Sequence, residues 1–190
     1  MARRRMLDTF EAAKGAGPYD EYPVLSAGVD PQLHLSRNDR PQPFHLTCEK
    51  DTVLVQMSGK ATVEMRDSPV LRFNLVPGDY AYIPGGTPHR IIPSEPSILY
   101  RYKAEYSGLE AVSFYCETCG QLMFRDTWDT SEEMPQAAYL RIVETFNKED
   151  ALRHCAACSI THTPIDLTGY RWRQIVDELN APPSETESAW

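Results

Sequence analysis

Gly78-Asp79-Tyr80-Ala81-Tyr82-Ile83-Pro84-Gly85-Gly86-Thr87-Pro88-His89 fits the pattern G-x5-P-x-G-x2-H at every defined position. The strand-forming run Tyr80 to Ile83 must end at Pro84, which cannot donate to a β-ladder, and the glycines after it permit a tight turn. That turn delivers one imidazole, His89, to the start of the next strand, where it is placed to face inward and meet a metal. Upstream, Val53-Leu54-Val55-Gln56-Met57, Ser58-Gly59-Lys60 and Ala61-Thr62-Val63-Glu64-Met65 read as two strands joined by a tight glycine turn, a hairpin. Further strands are predicted at 70–75, 80–83, 90–92 and 98–103, separated by Pro- and Gly-containing turns. Six or more short strands at this spacing imply an all-β barrel or sandwich.

The 190 residues, 42% of them hydrophobic, suffice for one main domain and a small appendage. We divide the chain into an N-terminal arm (1–32), a barrel (33–113), a cysteine-bearing segment (114–163) and a C-terminal helix with tail (164–190). Helical spacing marks 137–146 (Ala138, Leu140, Ile142, Val143, Phe146) and 170–179 (Trp172, Ile175, Leu179), and the tail from 181 is expected to fray. A formal net charge of −8 disfavours a nucleic-acid partner, which leaves small molecules. No apolar run approaches the ~20 residues that span a bilayer, and the start Met1-Ala2-Arg3-Arg4-Arg5 leads into Leu7-Asp8-Thr9 rather than a secretory core. The expected location is therefore the cytoplasm, without membrane attachment, and an exposed barrel edge predicts a homodimer.

Four of five cysteines form two C-x-x-C pairs, Cys116-Glu117-Thr118-Cys119 and Cys155-Ala156-Ala157-Cys158. Such knuckles turn both sulfurs the same way, so four thiolates converge tetrahedrally on one iron or zinc. Closed S4 coordination leaves no position for substrate, so a structural role is expected, the alternative being a barrel that scaffolds a redox-active tetrathiolate iron. Cys48 reads as an ordinary barrel residue.

A barrel metal at His89 needs further ligands, and the candidates are His45, Glu49 and Asp51, which share strand parity and are able to face one side. His45, His89 and one carboxylate would form a two-His, one-carboxylate triad. That arrangement leaves positions open on Fe(II) for substrate and dioxygen.

The glycine-to-histidine stretch resembles the second cupin motif. Taken in order with Val55-Gln56-Met57-Ser58-Gly59-Lys60-Ala61, Phe114-Tyr115-Cys116-Glu117-Thr118-Cys119-Gly120 and His154-Cys155-Ala156-Ala157-Cys158, it resembles the 3-hydroxyanthranilate 3,4-dioxygenase family, over roughly residues 33–158. The resemblance implies a ferrous cupin that opens a small aromatic ring beside its hydroxyl group, inserting both atoms of dioxygen, with a rubredoxin-like clip behind it. Counted back from Gly59, the family's glutamate ligand falls on Thr52 and its first histidine on Leu46. One extra residue before Gly59, accommodated as a β-bulge, would bring Asp51 and His45 into those roles. Of the family's two substrate-carboxylate arginines one corresponds to Arg40 and the other falls on Pro93. The family's substrate-contacting glutamate falls on Arg101, whose planar fork suits an acidic group. Tyr80, Tyr82 and Tyr100 are candidate pocket walls. The expectation is a non-haem Fe(II) ring-cleaving dioxygenase with an altered pocket. The alternative, favoured by Thr52, Pro93 and Arg101, is a divergent cupin without oxygenase activity that binds a small ligand or acts as a metal-dependent isomerase or decarboxylase.

Overall fold

A computed structural model of the protein describes residues 6–181, so the basic start and all of the expected fraying tail beyond 181 lie outside the described residues. The elements are α1 (Thr9–Ala13), β1 (Tyr22–Pro23), β2 (Gln32–Asn38), β3 (His45–Cys48), β4 (Thr52–Ser58), β5 (Ala61–Met65), β6 (Arg72–Leu75), β7 (Tyr80–Ile83), β8 (His89–Pro93), β9 (Ser97–Lys103), β10 (Leu109–Tyr115), β11 (Leu122–Asp129), α2 (Pro135–Lys148), α3 (Asp150–Arg153) and α4 (Trp172–Asn180). The strands form two antiparallel sheets, β1-β2-β9-β4-β7 and β11-β10-β3-β8-β5-β6, in the cupin jelly-roll manner the sequence predicts.

Residues 52–65 are not a hairpin. β4 pairs with β7 and β9 in the first sheet, whereas β5 pairs with β6 and β8 in the second. Ser58-Gly59-Lys60 is therefore the corner where the chain passes between sheets. Gly59 adopts φ +67°, and a Cβ there would lie 2.2 Å from the Pro96 carbonyl oxygen. Only glycine meets both demands.

Alternation decides what each strand shows the interior. Thr52, Leu54 and Gln56 of β4 are buried while Val53, Val55 and Met57 are half-buried. Opposite, Leu46 pairs with His89, and Val63 and Ile91 pair on the same sheet. The second sheet continues through β10 into β11, so both edges of the first cysteine knuckle are strand ends. α2 buries Ala138, Tyr139, Ile142, Val143 and Phe146, the positions picked out by its spacing, and stacks Phe146 on Phe114 at 3.9 Å between centroids. Trp172 of α4 is fully buried against Phe44, Tyr139 and Tyr170. At least 22 buried side chains thus share one core, and both helices close it rather than forming a body of their own.

Candidate functional site

The two knuckles are built alike. Gly120 N–H donates to the Cys116 carbonyl and Cys116 N–H to Gln121. Likewise Ser159 N–H donates to Cys155 and Cys155 N–H to Ile160, all at 2.7–2.8 Å. Gly120 (φ +77°) and Ser159 (φ +59°) take the left-handed turn that aims each pair of sulfurs inward. The four sulfurs lie within 4.8 Å of one another. Cys116–Cys158 and Cys119–Cys155 are each 3.5 Å apart. A metal about 2.3 Å from four sulfurs requires S···S separations of roughly 3.8 Å by tetrahedral geometry, so iron or zinc fits this donor set. His162 places Nε2 3.4 Å from the Cys116 sulfur and holds that thiol down to about 5. Sequence reading missed His162.

Inside the barrel the expected triad is not assembled. His89 is fully buried and faces the interior, as predicted. His45 pairs with Ser113 and sits one residue from Leu46, so it points to the opposite face of the sheet. A bulge does interrupt β4, between Gln56 and Ser58, but the residue that faces inward upstream of it is Thr52. Asp51 lies outside, exposed, where its carboxylate accepts from Tyr82 Oη at 2.7 Å and Gly85 N–H at 2.8 Å, tying β4 to the Pro84–Gly86 turn. Glu49 caps the other side of that region by accepting from Leu109 N–H at 2.7 Å. The physical reason is parity: an inward Asp51 would turn Leu54 out and bring Val53 and Val55 in. Among the described residues the four cysteines form the one cluster of three or more His, Cys, Asp or Glu close enough to share a metal.

The interior instead holds a web of charges. Arg101, paired in register with Leu54 and His34, points inward and is 1% exposed. Its Nε donates to Glu21 Oε1 at 2.6 Å, and its Nη1 lies 2.6 Å from His89 Nε2. His89 Nδ1 is 3.0 Å from the Thr87 carbonyl, which only accepts, so the proton sits on Nδ1 and the Nε2 lone pair accepts from Arg101. That lone pair is the one a barrel metal would need. Burial and then Arg101 hold His89 down to about 3. Lys103 pairs with Glu110 at 2.7 Å and approaches Glu21 at 3.6 Å. Burial works against the Glu21 carboxylate, yet Arg101 and Lys103 bring it down to about 2.

Glu21 was not legible as a site residue. It arrives from the arm, where Tyr19 (φ +50°) and Glu21 (φ +43°) kink the chain across the barrel mouth. The Glu21 amide donates to Ser36 Oγ, Gln136 donates to the Asp20 and Glu21 carbonyls, Tyr139 Oη donates to Glu21 Oε2, and Trp172 Nε1 donates to the Tyr19 carbonyl. The acidic partner that Arg101 demands is thus the chain's own.

Arg40 takes no part. It pairs with Asp39, donates to the Thr168 carbonyl and lies over the Tyr170 ring at 5.7 Å, fastening the C-terminal loop. Tyr80 and Tyr82 are 70% and 51% exposed, and Tyr100 packs in the second apolar cluster with Leu35 and Ile175, so none of the three walls an interior pocket. Cys48 is buried beside Glu110 and Lys103, its thiol pushed up to about 12 by burial. No helix among the described residues is long and apolar enough to cross a membrane.

No family model and no curated protein matches the sequence. Solved structures with a similar fold include hydroquinone 1,2-dioxygenase from Sphingomonas sp. TTNP3 with 4-hydroxybenzoate bound (19% identity, 50% of this chain and 71% of that one, TM-score 0.43). A cupin-2 domain containing protein from Shewanella frigidimarina is also similar (17%, 53% and 94%, TM-score 0.45). Salicylate 1,2-dioxygenase from Pseudoaminobacter salicylatoxidans matches over a shorter span (18%, 37% and 19%, TM-score 0.34). Two of these are dioxygenases by name and one is named for its cupin-2 domain.

Proposed function

We propose that this protein is a divergent cupin without oxygenase activity, a small-ligand binder whose barrel is held shut by an internal salt bridge and whose clip carries one structural iron or zinc. The observation that carries the reading is the guanidinium of Arg101, 2.6 Å from both His89 Nε2 and Glu21 Oε1. A cation in hydrogen-bond contact with His89, the histidine of the glycine-to-histidine motif, repels a metal cation and consumes its donor atom. The positions that match the family's other two ligands, Leu46 and Thr52, offer an alkyl group and a hydroxyl that already donates to the Tyr102 carbonyl at 2.7 Å. The unpaired thiols of a four-cysteine clip call for a reducing compartment, which supports a cytoplasmic location.

The second reading is a ring-cleaving dioxygenase of the 3-hydroxyanthranilate type. It is favoured by the unbroken Gly78–His89 motif followed by the two cysteine knuckles in the family's order, and it requires Arg101 to leave His89.

Metal analysis of the purified protein, paired with oxygen uptake against ortho-aminophenols and catechols, separates the two. One tightly held metal per chain, lost when the clip cysteines are replaced, with no oxygen uptake, is the result expected here. A second metal that depends on His89, together with uptake, overturns the proposal and installs the dioxygenase.

A further inference from the structure

Where the β3–β10 ladder ends at His45 and Ser113 lies a cavity of about 160 Å³, lined by residues of both strands and by the segment around the clip. His45 and Ser113 stand side by side in its wall, paired in register on β3 and β10. Both are buried, at 2% and 0% exposure; His45 Nε2 has no hydrogen-bond partner, and Ser113 Oγ has only the side chain of Tyr115 on the same wall. Residues opposed across an antiparallel pair hold their Cβ atoms about 5 Å apart, so one polar atom between them reaches both. Leaving the His45 nitrogen buried and unpaired costs free energy, and the fold retains the cavity rather than filling it.

The remaining wall fixes the rest of the occupant's chemistry. Phe44, Phe114, Met123, Phe146 and Ile165 supply an apolar surface. Arg90 also lines the space, but its charge is taken by Glu64 at 2.9 Å and Glu117 at 2.6 Å, so no uncompensated charge awaits an ion. A cavity of about 150 Å³ accepts a benzene ring. We propose that this cavity is a binding site for an uncharged one-ring molecule carrying a hydroxyl group, which donates to His45 Nε2 and accepts from Ser113 Oγ while its ring lies against the phenylalanines.

The inference deepens the ligand-binding reading by placing the ligand outside the barrel. His162 lines the same cavity and contacts the Cys116 sulfur, so an occupant touches the clip's surroundings. Binding is therefore readable at the clip.

The test is titration of the full-length, metal-loaded protein with phenol, benzene and benzoate, followed by calorimetry and by ¹⁹F NMR with 4-fluorophenol. Cobalt-substituted protein reports the clip through its sulfur-to-metal absorption. Phenol is expected to bind saturably and shift the cobalt spectrum, with benzene and benzoate each about tenfold weaker or worse, the loss of one buried hydrogen bond. Ser113→Ala removes little volume and is expected to weaken phenol about tenfold without changing benzene, and His45→Phe does the same from the other partner. No saturable phenol binding at millimolar concentration assigns the two atoms to ordered water and overturns the site, as does equal phenol affinity in wild type and both variants. Oxygen uptake is scored separately: uptake with catechols defeats the non-oxygenase reading whatever phenol does here, and failed phenol binding without uptake defeats only this site.

Discussion

Replacing Arg101 by Met keeps the side chain's reach and removes its charge from a position 1% exposed. Two buried acceptors then lose their donor: Glu21 Oε1 and His89 Nε2, each at 2.6 Å in the intact protein. Breaking one partner of a buried pair costs about 3–5 kcal/mol. The other Glu21 oxygen keeps Tyr139 at 3.2 Å and Lys103 at 3.6 Å, which places the loss at the lower end, about 3 kcal/mol. Against a typical domain stability of about 5–15 kcal/mol this is a large fraction. Glu21→Leu strands Arg101 instead and is expected to cost at least as much. Because each single change leaves a charge behind, the double variant is expected to be more stable than the sum of the two predicts, by about 2 kcal/mol of coupling. Urea unfolding with linear extrapolation measures all four proteins, with a constant m-value as the check that the unfolded states match. An Arg101→Met loss below about 1 kcal/mol, or strict additivity in the cycle, would refute the view that this pair locks the barrel.

Acid should unlock the same interior. His34 and His89 are held to about 3, chiefly by burial, against an ordinary 6.5, so below pH 6.5 the unfolded chain binds protons that the folded one refuses. Stability is then lost at up to about 1.4 kcal/mol per pH unit per histidine on descending from 6.5, and Glu21, at about 2 against 4.5, adds to the loss below 4.5. Urea midpoints flat above neutrality and falling steadily towards about pH 5 are expected, and a midpoint unchanged across that range contradicts the buried neutral histidines. Cys116→Ser or Cys155→Ser is expected to release the clip metal and open the region to protease, since tetrathiolate binding is coupled to local folding. Unchanged metal content in both variants would remove the clip assignment. Asp51→Ala and Glu49→Ala are expected to leave metal content unchanged and only to lower the unfolding midpoint, through the lost anchors at Gly85 and Leu109. Metal loss in the Asp51 variant alone would restore it as a ligand.

The parts that were readable in the sequence are those fixed by local chemistry. Proline and glycine set the turn after Ile83, C-x-x-C sets the geometry of a knuckle, and apolar spacing sets the buried face of α2. Arg101 was also legible as an inward fork that wants an acid, but no local rule says that the acid is Glu21, 80 positions earlier and held by two left-handed residues. The triad failed for a different reason. Strand parity has a period of two, so one extra residue counted or not counted before Gly59 exchanges every inside and outside position upstream of it. Equal counting supports Asp51 or Thr52, and the apolar demand of Leu54 and Leu46 decides between them only once the sheets are packed. The Ser58–Lys60 turn misled in the same way, because a hairpin and an inter-sheet corner ask for the same glycine.

The arm that carries Tyr19 and Glu21 also dictates an order of events as the chain is made. Its partners are distant in sequence: Arg101 lies 80 residues later, Tyr139 118 and Trp172 153. The arm therefore emerges from the ribosome before any of them and until then has only its contacts with β2, Glu21 with Ser36 and Tyr19 with Asn38. Contacts of such separation form slowly and late, since loop closure must precede them. The Glu21–Arg101 pair therefore cannot close before β9 has been made, and until it does the charges destined for the barrel interior lack their counter-charge.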